Sequence, residues 1–118
     1  MKTPELSVVI PVYNEEENIP ILIRELEETL DQLGKEYEII MVDDGSRDKS
    51  LESIREARRR NLRIRIISFE KNAGQTAAMD AGFRTARGDV IVTLDADLQN
   101  SPRDIPLLLD KIPEYDIV

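Results

Sequence analysis

Residues 6–33, with the sequence LSVVIPVYNEEENIPILIRELEETLDQL, join a short β-branched run to a longer stretch in which apolar side chains recur every three or four residues. The first run, Leu6–Val12, predicts a β-strand, and the second predicts a helix that ends at Gly34, where glycine suits the left-handed helix end. Asn14 and Glu17 have the spacing of a helix-capping pair. This strand-helix unit decides the fold because it repeats along the chain.

Three further units of the same kind follow. Strands are predicted at 37–43, 64–69 and 89–94, and helical stretches at about 51–61, 74–87 (ended by Gly88) and from Ser101 onward. Strands that alternate with crossover helices require a mostly parallel sheet with helices on both faces. The fourth strand is almost entirely apolar, which predicts burial on both of its faces. We therefore expect an α/β fold that binds ligands beyond the carboxyl ends of its strands.

The chain has 118 residues and a mass of 13.5 kDa, which is the size of one domain, so residues 1–118 are expected to form a single unit. Sixteen Lys and Arg against 24 Asp and Glu give a net charge of −8, which disfavours nucleic-acid binding. With no Cys and no His, disulfides, thiolate nucleophiles, cysteine-ligated zinc and the Ser-His-Asp triad are excluded. The chemistry is therefore limited to carboxylates, amides and hydroxyls, with or without a bound metal.

The start of the sequence does not have the pattern of a targeting signal or a membrane span. The apolar run at Leu6–Val12 is too short for a signal peptide or a spanning helix and contains Pro11, which predicts a cytoplasmic location. Residues 115–118 (YDIV) resemble the start of a fifth strand with no turn or helix after it. We therefore expect the sequence to be a truncated piece of a longer protein.

Two acids directly follow the fourth predicted strand, at Asp95 and Asp97. Alternate side chains of an extended segment point the same way, so the two carboxylates suit a hard divalent cation such as Mg²⁺ or Mn²⁺. Gln99 is placed to add a carbonyl oxygen. The alternative is that Asp97 or Asn100 only caps the next helix.

The second strand ends in a further acidic turn, residues 43–46 (DDGS). Asp44 is interpreted as an acceptor for the N–H groups of uracil or guanine, against the alternative of an ordinary turn. Tyr13 suits stacking on a base or packing in the core, and Glu15 suits binding a nucleoside or starting a helix. Residues 72–75 (NAGQ) begin the third helix, where free N–H groups suit a phosphate.

Other classes of α/β protein lack support in the sequence. No G-x-G-x-x-G follows the first strand and no G-x-x-x-x-G-K-[ST] occurs, which argues against dehydrogenases and P-loop enzymes. A phosphoreceiver domain has a similar size and also uses clustered carboxylates. Here, however, the acid pair follows the second strand rather than the first, and no strand-end lysine follows the later aspartate.

Four motifs in this order carry a family resemblance: VIPVYNEE at 9–16, VDDGS at 42–46, NAGQ at 72–75 and LDADLQ at 94–99. Together they resemble the inverting glycosyltransferases of family 2. Within that family, the combined DADLQ and N-x-G-Q pattern is most similar to the polyprenyl-phosphate branch, which includes dolichyl-phosphate mannose synthases and undecaprenyl-phosphate aminoarabinose and glucose transferases. The resemblance implies the Rossmann-like, nucleotide-binding half of a GT-A fold.

The resemblance also implies roles for individual residues. Nucleotide contacts are expected from Pro11, Tyr13, Glu15, Asp43, Asp44, Gln75, Asp95 and Ala96. Catalysis is expected to depend on Asp95 and Asp97, and Asp97 with Gln99 is expected to hold Mg²⁺ or Mn²⁺.

The implied reaction moves a sugar from a UDP- or GDP-sugar to a polyprenyl phosphate by metal-assisted inverting displacement. A transferase acting on saccharide hydroxyls, or a nucleotide-sugar-binding module without catalysis, remains an alternative. Acceptor and membrane contacts at the cytoplasmic face are expected from parts beyond Val118. This chain by itself is expected to bind nucleotide and transfer little or no sugar.

Overall fold

Strands and helices alternate along the chain as the periodicity predicts. A computed structural model describes residues 3–98 and 101–110. The strands are β1 (Leu6–Val12), β2 (Tyr37–Asp43), β3 (Ile64–Ser68) and β4 (Val90–Thr93). The helices are α1 (Ile19–Leu33), α2 (Ser50–Arg60), α3 (Gln75–Thr85) and α4 (Ile105–Asp110), with a 3-10 turn at Pro102–Asp104 before α4.

The strands form one sheet in the order β3-β2-β1-β4, and every pairing is parallel. Leu6 at the start of β1 lies opposite Tyr37 on one side and Val90 on the other. The chain moves outward from β1 to β3 and then crosses back to β4, so the direction of winding reverses between β1 and β4. A crevice at the carboxyl ends of these two strands is the expected ligand position in such a sheet.

The sheet is covered on both faces, as predicted. One core contains Val8 and Ile10 of β1 together with the buried residues of α1, α2 and α4, and the other contains Val9 with Ala78 of α3. The buried residues of α3 are Ala78 and Gly82, so small side chains allow this helix to lie close to the sheet. The fold class inferred from the sequence is therefore confirmed.

Helix ends differ from the sequence-based prediction at two places. Asn18, not Asn14, precedes α1, because Asn14 adopts a φ of 52° in the loop before it. The third helix ends at Thr85 rather than near Arg87, and Ala86 has extended backbone. The cause is tertiary: the backbone N–H of Arg87 donates to the buried Glu38, 2.7 Å away, which draws the chain out of the helix.

The fourth strand also differs from its prediction. Within the described sheet β4 pairs only with β1, and of its four residues only Val92 is buried. Val90 packs against one core and Ile91 against the other, but both are only partly buried, so the strand contacts both cores without the full burial that was predicted. The fifth strand predicted at 115–118 lies outside the described residues. Across ranges 3–98 and 101–110, no helix is both long and apolar enough to cross a membrane.

Candidate functional site at the carboxyl ends of the strands

A cavity of about 280 Å³ opens at the carboxyl ends of β1 and β4, at the point where the winding reverses. Its lining comes from the carboxyl end of β1, the loops after the four strands and the start of α3. It comprises Pro11, Val12, Tyr13, Glu15, Asp44, Asn72, Gly74, Gln75, Asp95, Ala96 and Asp97. The four sequence motifs thus meet at one pocket.

The loop between β1 and α1 forms one wall and carries Tyr13 and Glu15. Tyr13 is 42% exposed, so its ring is not part of the hydrophobic core and is accessible to a ligand. The alternative that Tyr13 packs in the core is wrong.

The neighbouring β2–α2 loop and Ser50, the first residue of α2, hold this wall in place. The Asn14 amide donates to Ser46 Oγ at 2.9 Å, and the Glu15 amide donates to Ser50 Oγ at 2.8 Å. In the reverse direction, the Arg47 amide donates to Asn14 Oδ1 at 2.8 Å. These bonds between two loops stabilise the positive φ of Asn14, a conformation that asparagine tolerates better than most residues.

Asp48 adds a further bond to the same wall. Its Oδ2 accepts from the Glu16 amide at 3.2 Å, and its Oδ1 accepts from the Ser50 amide at 2.9 Å. Burial alone would raise the pKa of Asp48, but the hydrogen bonds from Ser50 and Glu16 outweigh burial and hold the pKa below its ordinary value. Asp48 therefore stays a charged acceptor at neutral pH.

Asp44 joins the opposite wall to the sheet. It is 3% exposed, and its Oδ1 accepts from the Ala73 amide at 2.7 Å. Its Oδ2 accepts from the Gly74 amide at 3.0 Å and from Asn72 Nδ2 at 2.9 Å. Both carboxylate oxygens thus anchor the loop that leads into α3, a contact that the sequence interpretation did not include.

Two glycines make this anchoring possible. Gly45 has a φ of +69°, and a Cβ there would lie 2.5 Å from the Asn72 nitrogen, so only glycine lets the two loops approach. Gly74 has a φ of +101° and precedes the first residue of α3. Because the first N–H groups of a helix have no intrahelical partner, the start of α3 presents donors and a positive dipole end at the pocket.

The D-x-D segment closes the pocket beyond β4. Asp95 Oδ1 accepts from Gln75 Nε2 at 3.1 Å, which ties this segment to the start of α3. Ala96 is buried at 4% exposure, whereas Asp97 is exposed. Ser101 Oγ accepts from the Arg103 amide at 3.2 Å, so Ser101 rather than Asp97 caps the turn that follows.

The donor chemistry of the pocket fits a divalent cation. Asp95 and Asp97 contribute carboxylates to the same lining, and Mg²⁺ is commonly held by one or two carboxylates together with ligand phosphates. No cluster of three or more acidic side chains suited to a metal occurs within 3–98 and 101–110. The pocket is thus suited to a cation that is bound jointly with a phosphate ligand.

The pocket includes most of the residues that the sequence singled out for nucleotide binding: Pro11, Tyr13, Glu15, Asp44, Gln75, Asp95 and Ala96, together with Asp97. Asp43 is absent from this lining. It is 2% exposed and follows Tyr37, Ile39 and Met41 on the α1 and α2 face of β2, with its Oδ2 accepting from the Ser46 amide at 3.3 Å. Gln99 lies outside the described residues.

Ser46 lies within the acidic turn that the sequence singled out, but its role was not identified, and Asp48 and Ser50 were not identified as part of the site. The alternation of these three residues with Arg47 and Lys49 is the signal that was available. Ser and Asp side chains accept from nearby backbone N–H groups, but which loop they reach depends on the fold.

A doubly wound parallel sheet with an acidic pocket at its switch point places this chain among the α/β domains that bind ligands at the carboxyl edge of the sheet. The sequence model of glycosyl transferase family 2 matches residues 7–118. The chain belongs to that family, and the resemblance inferred from its motifs is confirmed.

A curated relative is 48% identical over 115 residues, covering 96% of this chain and 34% of the relative. It is an undecaprenyl-phosphate 4-deoxy-4-formamido-L-arabinose transferase of Pseudomonas paraeruginosa.

Solved structures support the fold. S. aureus TarS 1-349 in complex with UDP-GlcNAc is 25% identical with a TM-score of 0.74, covering 95% of this chain and 32% of that one. The mannosyltransferase PcManGT from Pyrobaculum calidifontis, solved with GDP-Man and Mn²⁺, is 24% identical with a TM-score of 0.72 over 88% of this chain and 30% of its own. These neighbours are GT-A glycosyltransferases, which confirms the expected GT-A fold. The chain spans about a third of the length of each of these proteins.

Proposed function

We propose that this chain is the donor-binding part of a glycosyltransferase that moves a sugar from a UDP- or GDP-sugar to a polyprenyl phosphate. One observation carries the proposal: the four motifs that define the family resemblance converge on a single pocket at the switch point of the sheet. The membership in glycosyl transferase family 2 supports the transferase activity.

The two walls of the pocket are suited to different parts of a nucleotide. The exposed ring of Tyr13 offers a stacking surface for a base, and Glu15 offers an acceptor for ribose hydroxyls. The start of α3 at Gln75, where the first N–H groups have no intrahelical partner, lies across the pocket and is suited to the diphosphate. Asp44 sits between the two walls and supports the second through its bonds to residues 72–74.

The charge of the pocket explains why a cation is needed. Its described lining contains four acids, Glu15, Asp44, Asp95 and Asp97, and no Lys or Arg. A nucleoside diphosphate would be repelled by this lining unless a cation compensated the charge. Asp95 and Asp97 would hold Mg²⁺ or Mn²⁺, which when bound neutralises the departing diphosphate. The Mn²⁺ in the PcManGT complex supports this choice of metal.

In the transfer step, an oxygen of the acceptor phosphate attacks the anomeric carbon from the face opposite the leaving group. The bond from that carbon to the diphosphate oxygen breaks, and the nucleoside diphosphate leaves with the bonding electrons. A phosphate monoester has a second pKa near 6, so this nucleophile is already largely ionised at neutral pH. The transfer therefore does not depend on a strong general base in this chain.

The name of the 48% identical relative favours a polyprenyl-phosphate acceptor over a saccharide hydroxyl. An acceptor of that kind resides in a membrane, so the carboxyl edge of the sheet, where the pocket opens, would face the cytoplasmic side of that membrane. The sugar and the base of the donor are left to the experiment below.

The test is calorimetric titration of the protein with UDP and GDP, with and without Mn²⁺. We expect one nucleotide to bind in a Mn²⁺-dependent manner, and Asp97→Asn to weaken that binding at least tenfold. Asp80→Asn is the matched control, because Asp80 is exposed on α3, pairs with Arg84 and lies outside the pocket lining. Equal binding with and without Mn²⁺, or an equal loss in both variants, would contradict the proposed donor site.

A further inference from the structure

A second cavity, of about 470 Å³, lies at the amino ends of the strands, at the opposite edge of the sheet from the pocket described above. Four arginines from separate parts of the chain line it: Arg60 at the end of α2, Arg63 and Arg65 at β3, and Arg87 before β4. Strands β1 and β2 have seven residues each, so about 20 Å of sheet separates this amino-edge pocket from the donor pocket.

The charge of the amino-edge pocket is opposite to that of the whole protein. Its lining holds four arginines and two acids, Glu36 and Glu38, and therefore has a local excess of positive charge, whereas the chain carries −8 overall. The arginines concentrate here although the acids dominate the composition. A concave basic site on an acidic protein attracts anions selectively, since the rest of the surface repels them.

Two of the arginines are held in position by one buried carboxylate. The side chain of Glu38 is 3% exposed, and its Oε1 accepts from Arg65 Nη1 at 2.9 Å and from Arg87 Nη2 at 3.3 Å. Its Oε2 accepts from Ser7 Oγ at 2.6 Å. A guanidinium has five N–H donors, so these contacts fix both guanidinium groups, which line the cavity, and leave part of their donor capacity for other acceptors.

A third arginine is held by an aromatic ring. Arg63 lies over the ring of Tyr37 with its guanidinium carbon 5.0 Å from the ring centroid. The ring itself is fixed, because Tyr37 Oη donates to Asp31 Oδ1 at 2.8 Å. Burial together with this bond to Asp31 raises the pKa of Tyr37 to about 12, so the ring stays neutral and suited to a cation. The guanidinium groups of Arg63, Arg65 and Arg87 are thus positioned before any ligand binds.

We propose that the amino-edge pocket binds a phosphate-bearing anion. The planar fork of arginine matches the oxygens of a phosphate in paired hydrogen bonds, and several positioned forks around one concavity suit a multiply charged phosphate more than a single carboxylate. The cavity is larger than the donor pocket and has room for a diphosphate or a phosphorylated headgroup. This site is independent of the donor site in both its residues and its position.

The probe is pyrophosphate, titrated into the protein without divalent cations and followed by calorimetry. We expect binding at submillimolar concentration and at least tenfold weaker binding in Arg60→Gln/Arg63→Gln. The matched control is Arg55→Gln/Arg58→Gln, which removes the same charge from exposed positions of α2 outside the pocket lining. The control is expected to change binding less than twofold.

Three results would overturn the proposal: a Kd for pyrophosphate weaker than about 1 mM, an equal loss in both double variants, or tighter binding of citrate than of pyrophosphate. The source of the phosphate is then resolved with vesicles of phosphatidylglycerol. Binding to vesicles that only Arg60→Gln/Arg63→Gln weakens identifies a lipid headgroup. Pyrophosphate binding without vesicle binding identifies a soluble phosphate. Both outcomes support the site.

Discussion

The replacement of Asp44 by Asn tests whether this residue supports the pocket as well as lining it. The carboxylate accepts three hydrogen bonds from residues 72–74, through both of its oxygens. An Asn side chain of the same shape retains one oxygen and replaces the other with an NH₂ group. That NH₂ group would face N–H donors, so at least one bond is lost and the rest lose the charge of their acceptor.

The expected loss of stability follows from these bonds. A hydrogen bond to a charged group contributes about 1.5–3 kcal/mol to stability, so Asp44→Asn should lower the free energy of unfolding by about 3 kcal/mol. For a domain of this size that corresponds to a fall in Tm of roughly 10 °C. Asp80→Asn is the control. Its exposed bridge to Arg84 should contribute only about 0.5 kcal/mol.

The assay is urea unfolding without nucleotide, combined with hydrogen exchange at the amides of Ala73 and Gly74. We expect both amides to be protected in the native protein and to exchange at least tenfold faster in Asp44→Asn, while the amides of β2 change little. A side chain that only contacts a base would leave the ligand-free protein unaffected. A change in unfolding free energy below 1 kcal/mol, with unaltered exchange at both amides, would refute the anchoring role.

Three further changes test other parts of the structure. Gly45→Ala should destabilise the protein by at least about 2 kcal/mol in urea unfolding, because φ is +69° there and the new Cβ would meet the Asn72 nitrogen at 2.5 Å; a neutral result would contradict this loop geometry. Ser46→Ala/Ser50→Ala removes two acceptors from the wall that carries Tyr13 and should weaken nucleotide binding about fivefold in calorimetry, with no effect expected if that wall is rigid by itself. Burial alone would raise the pKa of Glu38, but hydrogen bonds from Ser7, the Arg87 amide and Arg65 hold this pKa below its ordinary value of 4.5. The charged Glu38 therefore stabilises the folded protein above the pKa of the unfolded state, and this stabilisation is lost as the pH falls through the pKa of the folded state. In urea unfolding, the free energy of unfolding should fall less between pH 7 and pH 3 in Glu38→Gln than in the unsubstituted protein. An equal fall in both proteins would contradict this prediction.

The sequence predicts the elements of this fold well because strands and helices have different apolar periods here. The bounds of β1, β2 and α1 follow from β-branched runs, a helical stripe and Gly34. The end of α3 could not be predicted in this way, since its helical period continues to Arg87 and a carboxylate 49 residues away determines the break. The partial burial of β4 depends on strand order, which a run of apolar residues does not encode.

The two acids at the end of β2 show why the site was only partly predictable. Every residue of β2 is buried, so the alternation that normally distinguishes the two faces of a strand gives no signal. The sequence therefore could not indicate that Asp43 faces the α1 and α2 side while Asp44 lines the pocket. The bonds from Asp44 to residues 72–74 join segments about 30 residues apart and could be found only in the fold.

Both walls of the donor pocket depend on one segment, residues 44–50. Asp44 at its start holds the loop that begins α3, and Ser46, Asp48 and Ser50 hold the loop that carries Tyr13 and Glu15. The walls proposed for the base and for the diphosphate are thus positioned relative to each other through residues 44–50. Substitutions in this segment should weaken recognition of both parts of a nucleotide together. Substitutions at Asp97, which lies beyond a different strand, should act on the diphosphate and its cation alone.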